Sequence, residues 1–347
     1  MSILNDQTHI QNIDKSNMAK LIIDMPTHIY KGYFEAKIHK PPVFHGATTI
    51  INQIVIAGMG GSAISADIVK VLFDEKIPIT VVKDFKLPYI DESSLVIVTS
   101  YSGNTEETIE CLKTAKGITK NVAAITAGGK IKEQLDENKL WIQLPTGYPP
   151  RTAIGYIFFS IIKILEIYKI IPDQKENVQF IIEDMIAKAK SISPENETET
   201  NIAKNSAEQI YPKIPIIYSS NPTLAPIAYR WKCQINENAK YHAFTHQIPE
   251  MLHNEIEGWE TKTDTFIPIF LRLYDEQPKY LKGLKAFQTL LRQQNIPYLE
   301  FYTDTYKNIY KALPLIYLGD MISYYIAILN NVDPTSIEYI KFVKDAM

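Results

Sequence analysis

The sequence predicts an α/β protein made of two doubly wound domains with mostly parallel sheets. Three observations point there. Short apolar runs alternate with helix-compatible stretches along the chain, the pattern of parallel strands joined by crossover helices. The length of 347 residues suits about two domains at roughly 150 residues each. Two strand-to-helix junctions, near residues 58–63 and 100–105, are rich in glycine or hydroxyl side chains.

Composition narrows the function classes. Hydrophobic residues make up 46% and charged residues 22%, ordinary values for a globular protein, so each half can bury its own core. The formal net charge is −3 and the pI about 6.2. A general nucleic-acid binder would carry a basic excess, so that class is disfavoured. The N-terminal stretch MSILNDQTHIQNIDK lacks the apolar core of a secretory signal. The most apolar stretches, residues 153–168 and 312–329, are broken by Lys163 and Asp320. They read as buried helices rather than membrane spans. Cys111 and Cys233 have no metal-type spacing and read as reduced thiols of a cytoplasmic protein.

Residues 1–48 read as an N-terminal helical arm, with a helix-compatible stretch at 17–33 interrupted by Pro26. The first domain is expected at 49–172. Its strands fall at 53–57, 79–82, 94–100, 121–126 and 140–144, with helices at 63–73, about 105–116, 130–137 and 153–171. Pro172 stops the last of these. A polar helix at 177–191 and an exposed turn near 193–200 lead into the second domain, which is taken as 173–347 with its linker helix. Its strands are expected at 214–219, 266–273 and 298–302. Its helices are expected at 224–236, 278–294 and 309–329, with a last helix to Met347.

Two loops carry the chemical argument. Gly58-Met-Gly-Gly-Ser62-Ala63 sits where a strand turns into a helix. Glycine lets a ligand approach the backbone, and a helix N-terminus offers free N–H groups with partial positive charge. That suits a phosphate. It also matches G-x-G-x-x-A, and Asp84 follows about 20 residues on, as a dinucleotide site requires. The second loop, Ser100-Tyr-Ser102-Gly103-Asn104-Thr105, also follows an apolar strand and opens a helix. Asn104 is the expected N-cap, with Glu107 at the third helical position. The hydroxyls of Ser62, Ser100, Ser102 and Thr105 would suit three phosphoryl oxygens. The same hydroxyls would also serve simple capping.

The Gly-Gly-Ser loop followed by Ser-Tyr-Ser-Gly-Asn-Thr-Glu-Glu-Thr resembles the sugar isomerase (SIS) domain. The expected fold is thus two SIS-type domains. Pro149-Pro-Arg151-Thr-Ala-Ile-Gly155-Tyr, Asn236-Glu237-Asn238-Ala239-Lys240, Pro249-Glu-Met-Leu-His253-Asn254-Glu255 and the segment from Asp333 to Lys344 resemble motifs of bifunctional phosphoglucose/phosphomannose isomerases. The likeness spans residues 53–347.

The resemblance implies an aldose–ketose isomerase of hexose 6-phosphates, without cofactor or metal, and without nucleic-acid or membrane partners. It implies that Gly61, Ser62, Ser100, Ser102 and Thr105 hold the phosphate and Glu237 is the proton-transfer base. Partial desolvation would strengthen such a base by raising its pKa. The resemblance also implies His253 as ring-opening acid, Arg151 as the charge that stabilises an enediolate, and Lys344 as an aid to ring opening at O5. Lys341 shares the helical face of Lys344. Thr335 is a candidate for the family's pocket threonine. A homodimer is implied, with the histidine segment reaching across.

All seven histidines lie before residue 46 or after 241. His242-Ala-Phe-Thr-His246 lacks the glutamate of a zinc-protease helix, so both are left without an assigned role. Other readings remain open at the level of sequence. They are another SIS isomerase, a non-catalytic phosphosugar sensor, and an NAD-dependent oxidoreductase using residues 58–63 and Asp84.

Overall fold

The structure is a computed structural model and describes residues 2–42, 50–303 and 309–346. It divides into two compact units, one of residues 24–182 and one of 1–23 with 183–347.

Two short helices open the chain, α1 (Gln7–Ile13) and α2 (Met18–Ile23). Asp6 caps α1 by accepting from the Thr8 and His9 amides. The unit of residues 24–182 then begins with α3 (Met25–Tyr33), which Pro26 starts rather than breaks. Next comes β1 (Lys37–His39). The helical reading of residues 1–48 omits this strand. It has only three residues and a single apolar side chain, too little for a periodic signal. Its partner strand and the stacking of His39 on Trp141, with ring centroids 4.3 Å apart, hold it in place. Residues 43–48 of the expected arm lie outside the described residues.

The alternation follows as β2 (Gln53–Gly58), α4 (Gly60–Phe73), β3 (Ile79–Val82), β4 (Ser94–Thr99), α5 (Glu106–Lys116), β5 (Val122–Thr126), α6 (Gly129–Gln134), β6 (Leu140–Gln143) and α7 (Ile154–Ile167). The sheet order is β1-β6-β5-β4-β2-β3, parallel except for β1. Ile54–Ala57, all of β4 and all of β5 are buried, as strands covered on both faces must be. α7 packs closely on α3. A Cβ on Gly32 would lie 2.9 Å from the Gly155 carbonyl oxygen, and one on Gly155 would lie 2.9 Å from His28 Cβ. The two helices therefore need glycine at both positions.

The division between units falls inside α8 (Lys175–Ile192). The other unit continues with α9 (Ile202–Ile210), β7 (Ile214–Ser219), α10 (Ala225–Ala239), β8 (Phe244–Gln247), β9 (Phe266–Leu273), α11 (Pro278–Gln293), β10 (Leu299–Thr303), α12 (Leu313–Leu329) and α13 (Glu338–Ala346). Its four strands are all parallel in the order β10-β9-β7-β8. β8 is absent from the sequence reading, because Phe-Thr-His-Gln on a half-exposed edge has no apolar run. The expected helix at 309–329 begins as a 3-10 turn, Ile309–Ala312, before α12. The last helix ends at Ala346; Met347 lies outside the described residues.

The two faces of this sheet are distinct. Tyr218 and Phe270 pack against Phe287 of α11. Phe301 pairs with Leu271 and points the other way, where it meets the Trp231 ring of α10 at 5.2 Å. α12 lies beside α10 and is buried nearly all round. Asp320 is tolerated there because Arg230 of α10 grips it in two hydrogen bonds, Nη2 to Oδ2 at 2.6 Å and Nε to Oδ1 at 3.1 Å. Among the described residues no helix is long and apolar enough to cross a membrane.

Asp320→Ala would remove the carboxylate from a guanidinium that stays buried. The expected loss is about 3–5 kcal/mol of unfolding free energy, read from urea denaturation. Asp320→Asn, which keeps an acceptor, is expected to lose less.

Candidate active site

In the unit of residues 24–182, chain direction decides where the loops fall. From β2 the chain crosses to β3 on one side, and from β4 it crosses to β5 on the other. β2 and β4 are neighbours, with Gly58 opposite Thr99. Their loops therefore leave side by side at a topological switch point, the ordinary place for a ligand in such sheets.

The first loop enters α4 directly. Ser62 is buried in its first turn, and a Cβ built on Gly58 would lie 3.2 Å from Ser62 Cβ. The second loop is held by its own hydroxyls. Ser100 Oγ lies 2.8 Å from Thr105 Oγ1 and accepts from the Gly103 amide at 3.1 Å. Gly103 has φ +72°, and a Cβ there would fall 1.8 Å from the Gly128 carbonyl oxygen, so no other residue fits. Ser102 is exposed, and its Oγ accepts from the Asn104 amide at 3.2 Å. The N-cap differs from the sequence expectation. It is Thr105, one residue later, so Glu107 is second in the helix rather than third. Asn104 Oδ1 accepts instead from the Lys130 amide at 3.1 Å. The loop packs against the start of α6, and that contact outweighs the local capping preference.

Arg151 comes to the same place. It is buried in a 3-10 turn, Pro150–Thr152. A Cβ on Gly61 would lie 3.4 Å from the Pro150 carbonyl oxygen and 3.7 Å from Arg151 Cα. The arginine turn thus sits against the glycine loop. Tyr101, between the two serines, ties the approach to that turn. Its hydroxyl donates to the Pro145 carbonyl at 2.8 Å and accepts from the Tyr148 amide at 2.9 Å. Burial pushes its titration up. Behind it, His28 stacks on Tyr156 at 4.9 Å and meets Tyr148 edge-on at 5.0 Å. Sequence reasoning passed over Tyr101 and His28. Tyr101 lay inside the quoted motif, whereas His28 gave no signal.

The remaining candidates belong to the other unit. Glu237 lies in the last turn of α10, which Lys240 ends in the left-handed conformation. Lys240 Nζ donates to the carbonyls of Glu237 at 2.9 Å and Asp333 at 2.6 Å. It thus joins the end of α10 to the turn before α13. The flanking asparagines are structural: Asn236 donates to the Tyr241 carbonyl and Asn238 to Ser323 Oγ. Glu237 lines a cavity of about 830 Å³ together with Lys232, Lys240, His242, Phe244 and residues 336–340. A hexose phosphate fits a space of that size. Lys344 lies one turn of α13 beyond this lining, and it and Lys341 are exposed. The Thr335 amide donates to Asp333 Oδ1 at 2.8 Å in the turn before that helix.

His253 ends the 3-10 turn Glu250–His253. Met251 and Trp259 of its segment pack with Phe287 on the α11 face of the sheet. Glu237, on α10, belongs to the opposite face. The structure thus brings Glu237 and His242 to one cavity but does not bring His253 to Glu237 within this unit. His246 Nδ1 lies 2.8 Å from Glu255 Oε2. Among the described residues no cluster of three or more His, Cys, Asp or Glu could hold a metal ion.

Comparison with known proteins follows the same division. Residues 199–347 match the bacterial phospho-glucose isomerase C-terminal SIS domain. A bifunctional phosphoglucose/phosphomannose isomerase from Caldicellulosiruptor bescii is 33% identical over 340 residues, covering 95% of this chain and 98% of that protein. The D-glucosamine-6-phosphate 4-epimerase of Sulfolobus acidocaldarius is 35% identical over 223 residues, 63% of this chain and 68% of that protein. In structure, the C-terminal domain of glucosamine-fructose-6-phosphate aminotransferase from Francisella tularensis superposes with a TM-score of 0.67 at 16% identity, covering 92% of this chain and 98% of that one. The last likeness is one of fold, and it agrees with the expected doubly wound SIS architecture. The nearly full-length likeness to the C. bescii protein decides the family: the chain belongs to the bifunctional phosphoglucose/phosphomannose isomerases.

Proposed function

We propose that the chain interconverts glucose 6-phosphate and mannose 6-phosphate with fructose 6-phosphate. The observation that carries this reading is the convergence of two hydroxyl-bearing helix N-termini with the buried Arg151 turn at one sheet edge. The names of the relatives that match most of the chain agree with it.

The phosphate is a handle. Ser62, Ser100, Ser102, Thr105 and the amides at Gly61 and beyond bind it, and its binding energy orients the reacting carbons. His253 protonates the ring oxygen O5 as the C1–O5 bond breaks, with Lys344 assisting there, and the O1 hydroxyl proton passes to water as the aldehyde forms. Glu237 then removes the proton from C2, giving a cis-enediol(ate), and returns it to C1. O2 loses its proton as the ketone forms and O1 gains one. Arg151 is always charged and can donate to both oxygens of the enediolate. The conversion moves hydrogen within one molecule, so it consumes no oxidant or cofactor.

Glucose and mannose 6-phosphates differ only at C2 and share one enediol. One base serves both if the enediol rotates about C2–C3 before reprotonation. A roomy cavity beside Glu237 supports that requirement. The working form we propose is a homodimer, in which His253 of one copy serves Glu237 of the other. The opposite-face placement of their elements supports this arrangement.

Glu237→Gln is expected to lower kcat by about 10²–10⁴-fold while calorimetry still detects fructose 6-phosphate binding. Near-normal turnover would refute the base assignment. Thr105→Val, which keeps the shape and removes the hydroxyl, is expected to weaken fructose 6-phosphate binding about tenfold, or about 1.4 kcal/mol. Unchanged affinity would remove Thr105 from the phosphate site.

A further inference from the structure

The segment that carries His253 is fastened by one carboxylate. We propose that Glu255 is a positioning residue for His253, tying its segment to the sheet through His246 on the edge strand and Tyr218 on the central strand. The proposal rests on the reading of His253 as the ring-opening acid.

The hydrogen bonds from Trp259 through Tyr218 to Glu255 have a single consistent assignment. Trp259 Nε1 can only donate, and it donates to the Tyr218 hydroxyl at 2.9 Å. The one hydrogen of Tyr218 then goes to Glu255 Oε1 at 2.5 Å. Burial and the adjacent carboxylate push the Tyr218 titration far up, so the phenol stays protonated. Glu255 Oε1 therefore accepts there, and its other oxygen lies 2.8 Å from His246 Nδ1. Both carboxylate oxygens are taken by groups rooted in β8 and β7, which lie opposite each other at Tyr218 and His246. Tyr218 itself is locked among Phe270 and Phe287.

The placement of these bonds gives them their consequence. His253 stands two residues before Glu255, ending one 3-10 turn where Glu255 opens the next. Its own turn is floored by buried Met251, and Leu252 reaches over Gly283 of α11, where a Cβ would fall 2.4 Å from Leu252 Cδ1. Apolar contacts set the depth of this segment but are not directional. Glu255 adds a two-point polar fix, the kind of support that holds a reacting group to its working geometry.

A double-mutant cycle in the full chain tests this, with kcat and KM for glucose 6-phosphate and the thermal midpoint measured for each variant. Glu255→Ala is expected to lower kcat about 10–100-fold with KM little changed. Glu255→Gln, whose amide oxygen can keep the Tyr218 bond, is expected to recover part of the loss. In a His253→Ala background, Glu255→Ala is expected to cost nothing further, because its effect passes through the histidine. An equal loss in both backgrounds, or no loss in the wild type, would overturn the proposal. If Glu255→Ala fails to fold, Tyr218→Phe, which removes the bonds to Glu255 and Trp259 and keeps the ring, enters the same cycle with the same expected pattern. Wild-type turnover by His253→Ala would overturn the acid assignment, and this proposal with it. A large His253→Ala loss with an additive cycle would overturn the role of Glu255 alone.

Discussion

A buried parallel sheet can connect its strands only through crossovers, and where the crossover is a helix the strand ends beside that helix's N-terminus. In the unit of residues 24–182 that constraint places two such ends next to each other, after β2 and β4. The rest of the proposed anion site depends on it. Between their ends the two strands carry only buried apolar side chains, Ile54–Ala57 and Leu95–Val98. Chemistry is therefore confined to the edge. There the Arg151 turn sits beside Gly61, and Gly103 lets the second loop fold back on its own serine. Tyr101 then holds the chain that leads to Arg151.

The second sheet repeats the topology but not the chemistry. β7 and β9 are neighbours, with Ser219 opposite Leu271. After β9 the chain reads Tyr274-Asp275-Glu276, and Glu276 pairs with Arg272 at 2.8 Å. After β7, Asn221 turns its side chain to the Thr223 amide. Two carboxylates at this edge make it unsuited to a phosphate. This unit instead offers charged side chains at helix ends and in a covering segment, namely Glu237, Lys344 and His253. The proposed reading assigns anion binding to backbone and hydroxyl groups of one unit and proton transfer to side chains of the other. That division suits a reaction in which the phosphate stays intact.

Much of this was legible in the sequence, for a physical reason. Fully buried parallel strands leave uninterrupted apolar runs, and their loops leave glycine and hydroxyl clusters, so the strands at 53–57 and 94–100 and both loops could be read directly. β1 and β8 could not, because short edge strands pair through the backbone and carry little apolar pattern. The N-cap moved from Asn104 to Thr105 because Asn104 is used by the Lys130 amide, a contact 26 residues away that no local rule contains. His246 was left without a role because its partner, Glu255, lies beyond a turn. Glu237 and Lys344 are solvent-side residues whose type alone says nothing, so only the likeness to a known family marked them.

The most direct test is the appearance of fructose 6-phosphate from glucose 6-phosphate and, separately, from mannose 6-phosphate, with EDTA present and no nucleotide added. The account predicts that both sugars are converted. Conversion of glucose 6-phosphate alone would contradict the dual specificity, and conversion of neither would contradict the proposed activity.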